Sequence, residues 1–255
     1  MHNKIIVNAD DFGLSESCSL AIAKAFGENL ISSTTAMANG EYIEDAYKIA
    51  VENGFIDKVG IHIVLTEDVP LTEGIKNDSF FCENGVFHGK INRLKKPSKS
   101  ELQHLREEVS AQIKKLRAIG FPLSHADSHH HIHTDVFFIK TIEEVLKENG
   151  INKIRLHRNF GRIKFYKRFV KNLYNKKLNR NGFITTETMG SLDDLRDFPQ
   201  TIKDGLCEIM VHPDFDKDNV LIDRTDWSAA VPVGVPLDTI KNYIDGMQLI
   251  SYKDL

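Results

Sequence analysis

Cysteine is scarce in this chain: Cys18, Cys82 and Cys207 are the only three in 255 residues. They are too few and too far apart for a disulfide framework or a Cys-x-x-Cys metal or redox pair, and the pattern fits reduced thiols in a cytoplasmic protein. Long apolar runs are missing as well. None approaches the roughly 20 residues that cross a bilayer, and no apolar leader with a cleavage site precedes the first strand-like run. Nor is there an excess of basic charge. Lys and Arg number 33 against 36 Asp and Glu, a net charge of -3, which argues against a general nucleic-acid binder. A soluble protein with neither membrane nor nucleic acid as partner is expected.

What is present is ordinary for a folded globular chain: 41% hydrophobic and 27% charged residues. The length suits one α/β barrel or two small domains. Strand-like and helix-like segments alternate, which favours a parallel sheet with crossover helices. The reading gives strands at 4–8, 33–37, 59–65, 153–156, 183–186 and 206–211, with a short closing strand at 249–252. Helices are expected at 15–29, 41–53, 136–149, 192–203 and 236–247. Ser98 and Glu101 have capping-box form, and Leu102, Leu105, Val109, Ile113 and Leu116 then trace one helical face that Gly120 closes. A basic amphipathic helix at 162–180 would bury Ile163, Tyr166, Phe169, Val170 and Leu173. Residues 66–97 have no clear period and carry Pro70, Gly74, Gly85, Gly89 and Pro97. That stretch reads either as a substrate loop or as a surface excursion with a small hairpin at 80–87. With no internal repeat and no linker, a single domain over 1–255 is expected.

Four stretches place acidic or imidazole groups at or near the ends of apolar runs: Asn8-Ala9-Asp10-Asp11-Phe12-Gly13, Gly60-Ile61-His62, the segment from His125 to His133, and Val211-His212-Pro213-Asp214. Chemistry gathered at several strand ends is the pattern of a β/α-barrel catalytic face. In the third stretch five histidines fall within nine residues. Alternation puts His125, Asp127 and His129 on one face and lifts His129 to the rim, while the directions of His130, His131 and His133 stay open. His62 lies among apolar neighbours, and Gly60 leaves space on its face; a satisfied core histidine is the plain alternative. Asp10 and Asp11 cannot both face one way on an extended strand. If the chain turns there, one can bind metal while the other acts as base; otherwise one caps the helix starting near Ser15. His212, held extended by Pro213, suits a third imidazole ligand or a general acid. Two imidazoles and a carboxylate leave coordination positions open, which is the catalytic arrangement. A second carboxylate and a further imidazole can then move the protons that amide hydrolysis requires.

These motifs, in this order, resemble the YdjC-like carbohydrate deacetylases, and the Ser251-Tyr252 ending fits as well. The resemblance implies an α/β fold, a single-domain β/α barrel of about seven strands related to the NodB-type polysaccharide deacetylases. It implies hydrolysis of the N-acetyl group of an amino sugar or short chitooligosaccharide. One divalent metal ion goes with that activity, Mg2+ in the family, with Zn2+ as an alternative. By position, Asp11, His62 and His129 resemble the metal ligands, Asp10 the base, His212 the acid, and Arg155 a residue that orients Asp10. The two aspartates are interchangeable at this level.

Residues 157–186 contain no acidic side chain, while Arg162, Lys164, Lys167, Arg168, Lys171, Lys176, Lys177 and Arg180 accumulate. This is either a solvated face or an attractor for a phosphorylated sugar. The competing readings are a metal-dependent phosphoesterase built on His131-Ile132-His133, and a barrel that binds metal or sugar without catalysis. A homodimer is the assembly left open.

Overall fold

The apolar run Ile5-Ile6-Val7 opens the first strand, and its alternation sets the plan of the molecule. Ile5, Val7 and Ala9 join the hydrophobic core, while Asn8 and Asp10, also buried, face the opposite way. The computed structural model describes residues 4–91, 95–198 and 205–255.

Along the chain, β1 (Lys4–Phe12), α1 (Glu16–Gly27), β2 (Ser33–Ala36), α2 (Ile43–Glu52) and β3 (Val59–Ile63) alternate as expected. A short α3 (Glu73–Lys76) and the hairpin of β4 (Cys82–Glu83) and β5 (Val86–Phe87) follow, so the excursion after β3 does contain the small hairpin. Then come α4 (Lys99–Ile119), β6 (Ala126–Ser128), α5 (Ile139–Glu148), α6 (Phe165–Arg180), β7 (Thr188–Ser191) and α7 (Leu192–Asp197). The chain continues through β8 (Leu206–Val211), β9 (Pro213–Phe215), β10 (Leu221–Asp226), β11 (Val233–Pro236), α8 (Lys241–Ile244) and β12 (Gln248–Leu249). The capping box of α4 forms as the sequence predicts, with the Ser98 hydroxyl accepting from the Glu101 amide and the Glu101 carboxylate from the Ser98 amide. The last part of the helix expected at 192–203 lies outside the described residues.

A seven-stranded parallel sheet runs β6-β3-β2-β1-β8-β7, with β12 beside the start of β1. Parallel bridges from Ala126 to Ile154 and from Lys153 to Ile184 extend the pairing beyond β6. The Glu187 amide then bonds to the Leu206 carbonyl beside β7. The sheet therefore curls, with the apolar faces of α1 (Ala21, Ile22, Ala25) and α4 (Leu105, Val109, Ile113, Leu116) in the core cluster outside it. Period two sends Val59, Ile61 and Ile63 of β3, and Cys207, Ile209 and Val211 of β8, to that outer layer. His62 and Glu208 are left on the inside. The interior of the curl is thus polar, and buried charges there must be paired to be tolerated.

Two expectations are corrected, and one sheet is added. In α6, Tyr166, Phe169, Val170 and Leu173 are not buried, and Phe165 is 87% exposed. The helix is anchored instead through Leu178 and Asn175, whose amide bonds both the backbone N–H (3.0 Å) and the C=O (3.2 Å) of His157. Periodicity showed which residues share a face but not which face meets the sheet. The helix expected at 236–247 is only a 3-10 turn leading into α8. An antiparallel sheet, β9-β10-β11, occupies a region for which no strands were predicted.

Candidate active site

Asp10 and Asp11 lie near the end of β1, and the chain does turn there. Asp11 has φ 67°, Gly13 has φ 89°, and the pairing of β1 with β2 shifts register between Ala9 and Phe12. This left-handed kink breaks the alternation and lets both adjacent carboxylates point inward, 2% and 1% exposed. Neither caps α1, because the Ser15 hydroxyl does so by accepting from the Cys18 amide.

Three strand ends meet at Asp11. Its Oδ1 lies 3.0 Å from His62 Nε2 (end of β3) and 3.0 Å from His129 Nδ1 (end of β6). One ligand atom from each residue falls within 4.8 Å of the others, and all three residues are buried. The other oxygen, Asp11 Oδ2, is buried with no hydrogen-bond partner among the described residues. The far nitrogen of each imidazole is backed by a carboxylate: His62 Nδ1 meets Asp127 Oδ1 at 2.6 Å, and His129 Nε2 meets Glu67 Oε2 at 3.2 Å. Histidines that hold metals are oriented in this way. Electrostatics agree. Burial alone would lower the His62 pKa, yet Asp127 and Asp11 push it up to about 10. Burial likewise opposes charge on His129, but Asp11 and Glu67 push it up to about 9. Burial would raise the Asp11 carboxyl, and the two imidazoles hold it well below the usual carboxylate range. The pocket stabilises positive charge, and its donor set fits a divalent cation.

Asp10 has different partners. Arg155 Nη1 and Nη2 donate to its Oδ2 and Oδ1, each at 2.6 Å. Burial would raise this carboxyl, and the guanidinium overrides it, holding the group far below the usual carboxylate range. Arg155 is fully buried and also meets Asp127 Oδ2 at 2.8 Å and Glu208 Oε1 at 2.7 Å. Tyr252, on the last turn of the chain, donates its hydroxyl to the second oxygen of Glu208. Asn8 and Thr35 complete the floor: Asn8 Nδ2 donates to Asp10 Oδ1 (3.0 Å) and Thr35 Oγ1 to Asp127 Oδ2 (3.0 Å).

His212 follows β8 and stands 4.0 Å from Asp10, measured Nε2 to Oδ2. Its Nδ1 is 3.8 Å from Asp223 Oδ1, and its side chain is one-quarter exposed. Burial disfavours the imidazolium, but Asp223 and Asp10 raise its pKa above the ordinary imidazole value. The hairpin of β9 and β10 fixes its backbone: His212 N–H donates to Asp223 (2.6 Å), and Arg224 N–H donates to the His212 carbonyl (2.9 Å). Beside it stands Trp227, with ring centroids 5.6 Å apart and planes at 88°.

The remaining histidines do not meet this cluster at Asp11. His125 stacks on Tyr252 (4.0 Å between centroids, 10° between planes) and bonds Asn8 Oδ1 at 3.0 Å. The space left by Gly60 is filled by His125 rather than by His62, for a Cβ on Gly60 would come within 2.5 Å of His125 Nδ1. His133 has both ring nitrogens engaged, by Ser128 Oγ and the Arg155 carbonyl. His130 reaches Thr66 Oγ1 at 3.0 Å and Glu67 at 3.7 Å. Burial pushes the His131 imidazole down to about 3. Among the described residues neither His131 nor His133 joins a potential metal-holding group, so the His131-Ile132-His133 pair on which the phosphoesterase reading was built supplies no ligand. Sequence reasoning did not assign Asp127, Glu208, Glu67, Asp223 and Tyr252. Glu208 carried a signal, a charge alternating into an apolar strand.

The family model for YdjC-like protein matches residues 4–239. A carbohydrate deacetylase from Clostridium beijerinckii is 30% identical over 263 residues, covering 99% of this chain and all of that protein. One from Brevibacillus brevis is 30% identical over 265 residues, covering 99% of each. A crystal structure from Enterococcus faecalis, provisionally named for cellobiose-phosphate cleavage, superposes with a TM-score of 0.76 at 20% identity over 100% of this chain and 99% of that one. At that identity it attests the α/β fold.

Proposed function

The chain belongs to the YdjC-like family, and from that premise we propose that it is a metal-dependent carbohydrate deacetylase, acting on an acetylated amino sugar or short chitooligosaccharide. The observation that carries the reading is the convergence of Asp11, His62 and His129 at one buried point, with a separately held carboxylate, Asp10, and an imidazole, His212, beside it. The whole chain is taken as the catalytic domain.

Asp11, His62 through Nε2 and His129 through Nδ1 would hold one divalent cation, Mg2+ on family grounds. When bound, such an ion supplies Lewis acidity toward the acetyl carbonyl and the attacking water. The two aspartates divide by their partners. Asp11 has one oxygen between two imidazoles and the other unpartnered, as a ligand needs. Asp10 has both oxygens on Arg155, as a positioned base needs. Asp10 accepts a proton from water as the water oxygen bonds to the acetyl carbon. Arg155 fixes the direction of that carboxylate and keeps it ionised across the working pH range, at some cost in basicity. His212, whose hold on a proton Asp223 and Asp10 strengthen against burial, donates to the amine nitrogen as the C–N bond breaks. Acetate and a free amino sugar leave.

Asp10→Asn should keep the metal and lower turnover by about 10²–10⁴-fold. His62→Ala should lose metal and activity together while the fold survives. Stoichiometric metal in His62→Ala, measured by elemental analysis, would overturn the ligand assignment. Acetate release assayed on N,N′-diacetylchitobiose, free and 6-phosphorylated, resolves the substrate.

A further inference from the structure

The chain's one tryptophan stands at the mouth of this site. Trp227 follows β10 and is 47% exposed, although the Arg224 guanidinium covers one indole face at 4.4 Å. The exposure therefore belongs to the opposite face and to the ring edges. Arg224 is itself tied to Asp214 (3.3 Å), and Asp214 to Ser17 of α1 (2.6 Å), so the covered face is backed by a chain of partners rather than by a free side chain. The indole stands nearly perpendicular to the imidazole of His212, which reaches Asp10. A substrate whose amide reaches Asp10 and His212 brings its body close to Trp227.

Pyranose rings carry a face of C–H groups that is apolar and flat, and a half-exposed indole is the complementary surface. We infer that Trp227 is the platform on which a sugar ring of the substrate stacks, held upright by Arg224 from behind. It determines specificity by binding and does not take part in the chemistry. The inference rests on the deacetylase reading for the identity of the ligand, but not for the geometry of the platform.

The lone tryptophan is its own reporter. Holoenzyme carrying Asp10→Asn, titrated with N,N′-diacetylchitobiose, should show a saturable change in indole emission. In the otherwise unaltered enzyme, Trp227→Ala should raise KM for that disaccharide roughly three- to ten-fold while kcat stays within about two-fold. Trp227→Phe should recover part of the loss. An unchanged KM in Trp227→Ala, or an emission spectrum indifferent to the sugar, overturns the platform. A fall in kcat at constant KM also overturns it, because Trp227 would then be a prop for His212. If the wild-type protein releases no acetate yet its tryptophan still titrates with the sugar, the deacetylase reading falls and the platform stands.

Discussion

Arg155→Lys isolates what the guanidinium does beyond carrying charge. In the native site one planar cation makes four contacts of 2.6–2.8 Å to Asp10, Asp127 and Glu208 at once. An ammonium is a point charge on a flexible stem and cannot grip both oxygens of Asp10 while reaching Glu208 on the other side. The substitution should therefore cost Asp10 one of its two charge-assisted bonds, each contributing about 1.5–3 kcal/mol. If that bond positions the base, kcat should fall by about ten- to a hundred-fold. KM and metal content should move less than kcat, since Arg155 reaches the ligand set only through Asp127, which backs His62. Arg155→Met should be harsher. It strands three buried carboxylates, and loss of one partner in such a network costs about 3–5 kcal/mol. The pH dependence follows in sign. Asp10 lies below its ordinary 3.8 in the fold, so its stabilisation is complete above that value and lost as pH falls. Without Arg155 the acid limb of the stability curve should move to higher pH. Acetate release at saturating sugar, with thermal melts across pH, gives both readouts. Wild-type kcat in Arg155→Lys would refute the positioning argument.

Other outcomes follow from the same contacts. In the cation-free protein the neighbouring carboxylates push His62 up to about 10 and His129 up to about 9, and both must be neutral to bind metal. Metal affinity should therefore rise with pH up to about 10, with about two protons released per ion near pH 7, measurable by calorimetry in buffers of different ionisation enthalpy. Gly60→Ala would drive a methyl to 2.5 Å from His125, so the melting midpoint should drop by an amount equivalent to about 1–3 kcal/mol. If the exposed basic side of α6 attracts a phosphorylated sugar, changing Lys167, Arg168 and Lys171 to Gln should raise KM for the 6-phosphorylated substrate alone. That effect should fade as salt shortens the roughly 10 Å Debye length of 0.1 M solution.

The strand ends were legible because a strand that closes a buried apolar run must finish with whatever the site needs. Asp10, Asp11, His62 and His212 could be named as candidates from their place after such runs, and His129 from alternation along its own segment. The kink that brings both aspartates inward could be posed as a condition but not deduced, for Asp11 is no glycine and its φ of 67° depends on tertiary context. Arg155 entered by resemblance, and its grip on Asp10 needed coordinates. Glu208 and Tyr252 lie 44 residues apart in the chain, so nothing local joins them. The apolar residues of α6 show the limit of periodicity. They share a stripe as expected, but that stripe faces outward, because Asn175 and Leu178 make the contact that docks the helix.

If Asp11, His62 and His129 hold the cation that activates the amide, acetate release depends on that ion. The direct measurement is acetate liberated from N,N′-diacetylchitobiose by purified protein, before chelation, after chelation, and after adding back Mg2+ or Zn2+. Release should vanish with the metal and return in proportion to the ion restored, up to one per chain. Release undiminished in protein stripped of metal would contradict that dependence.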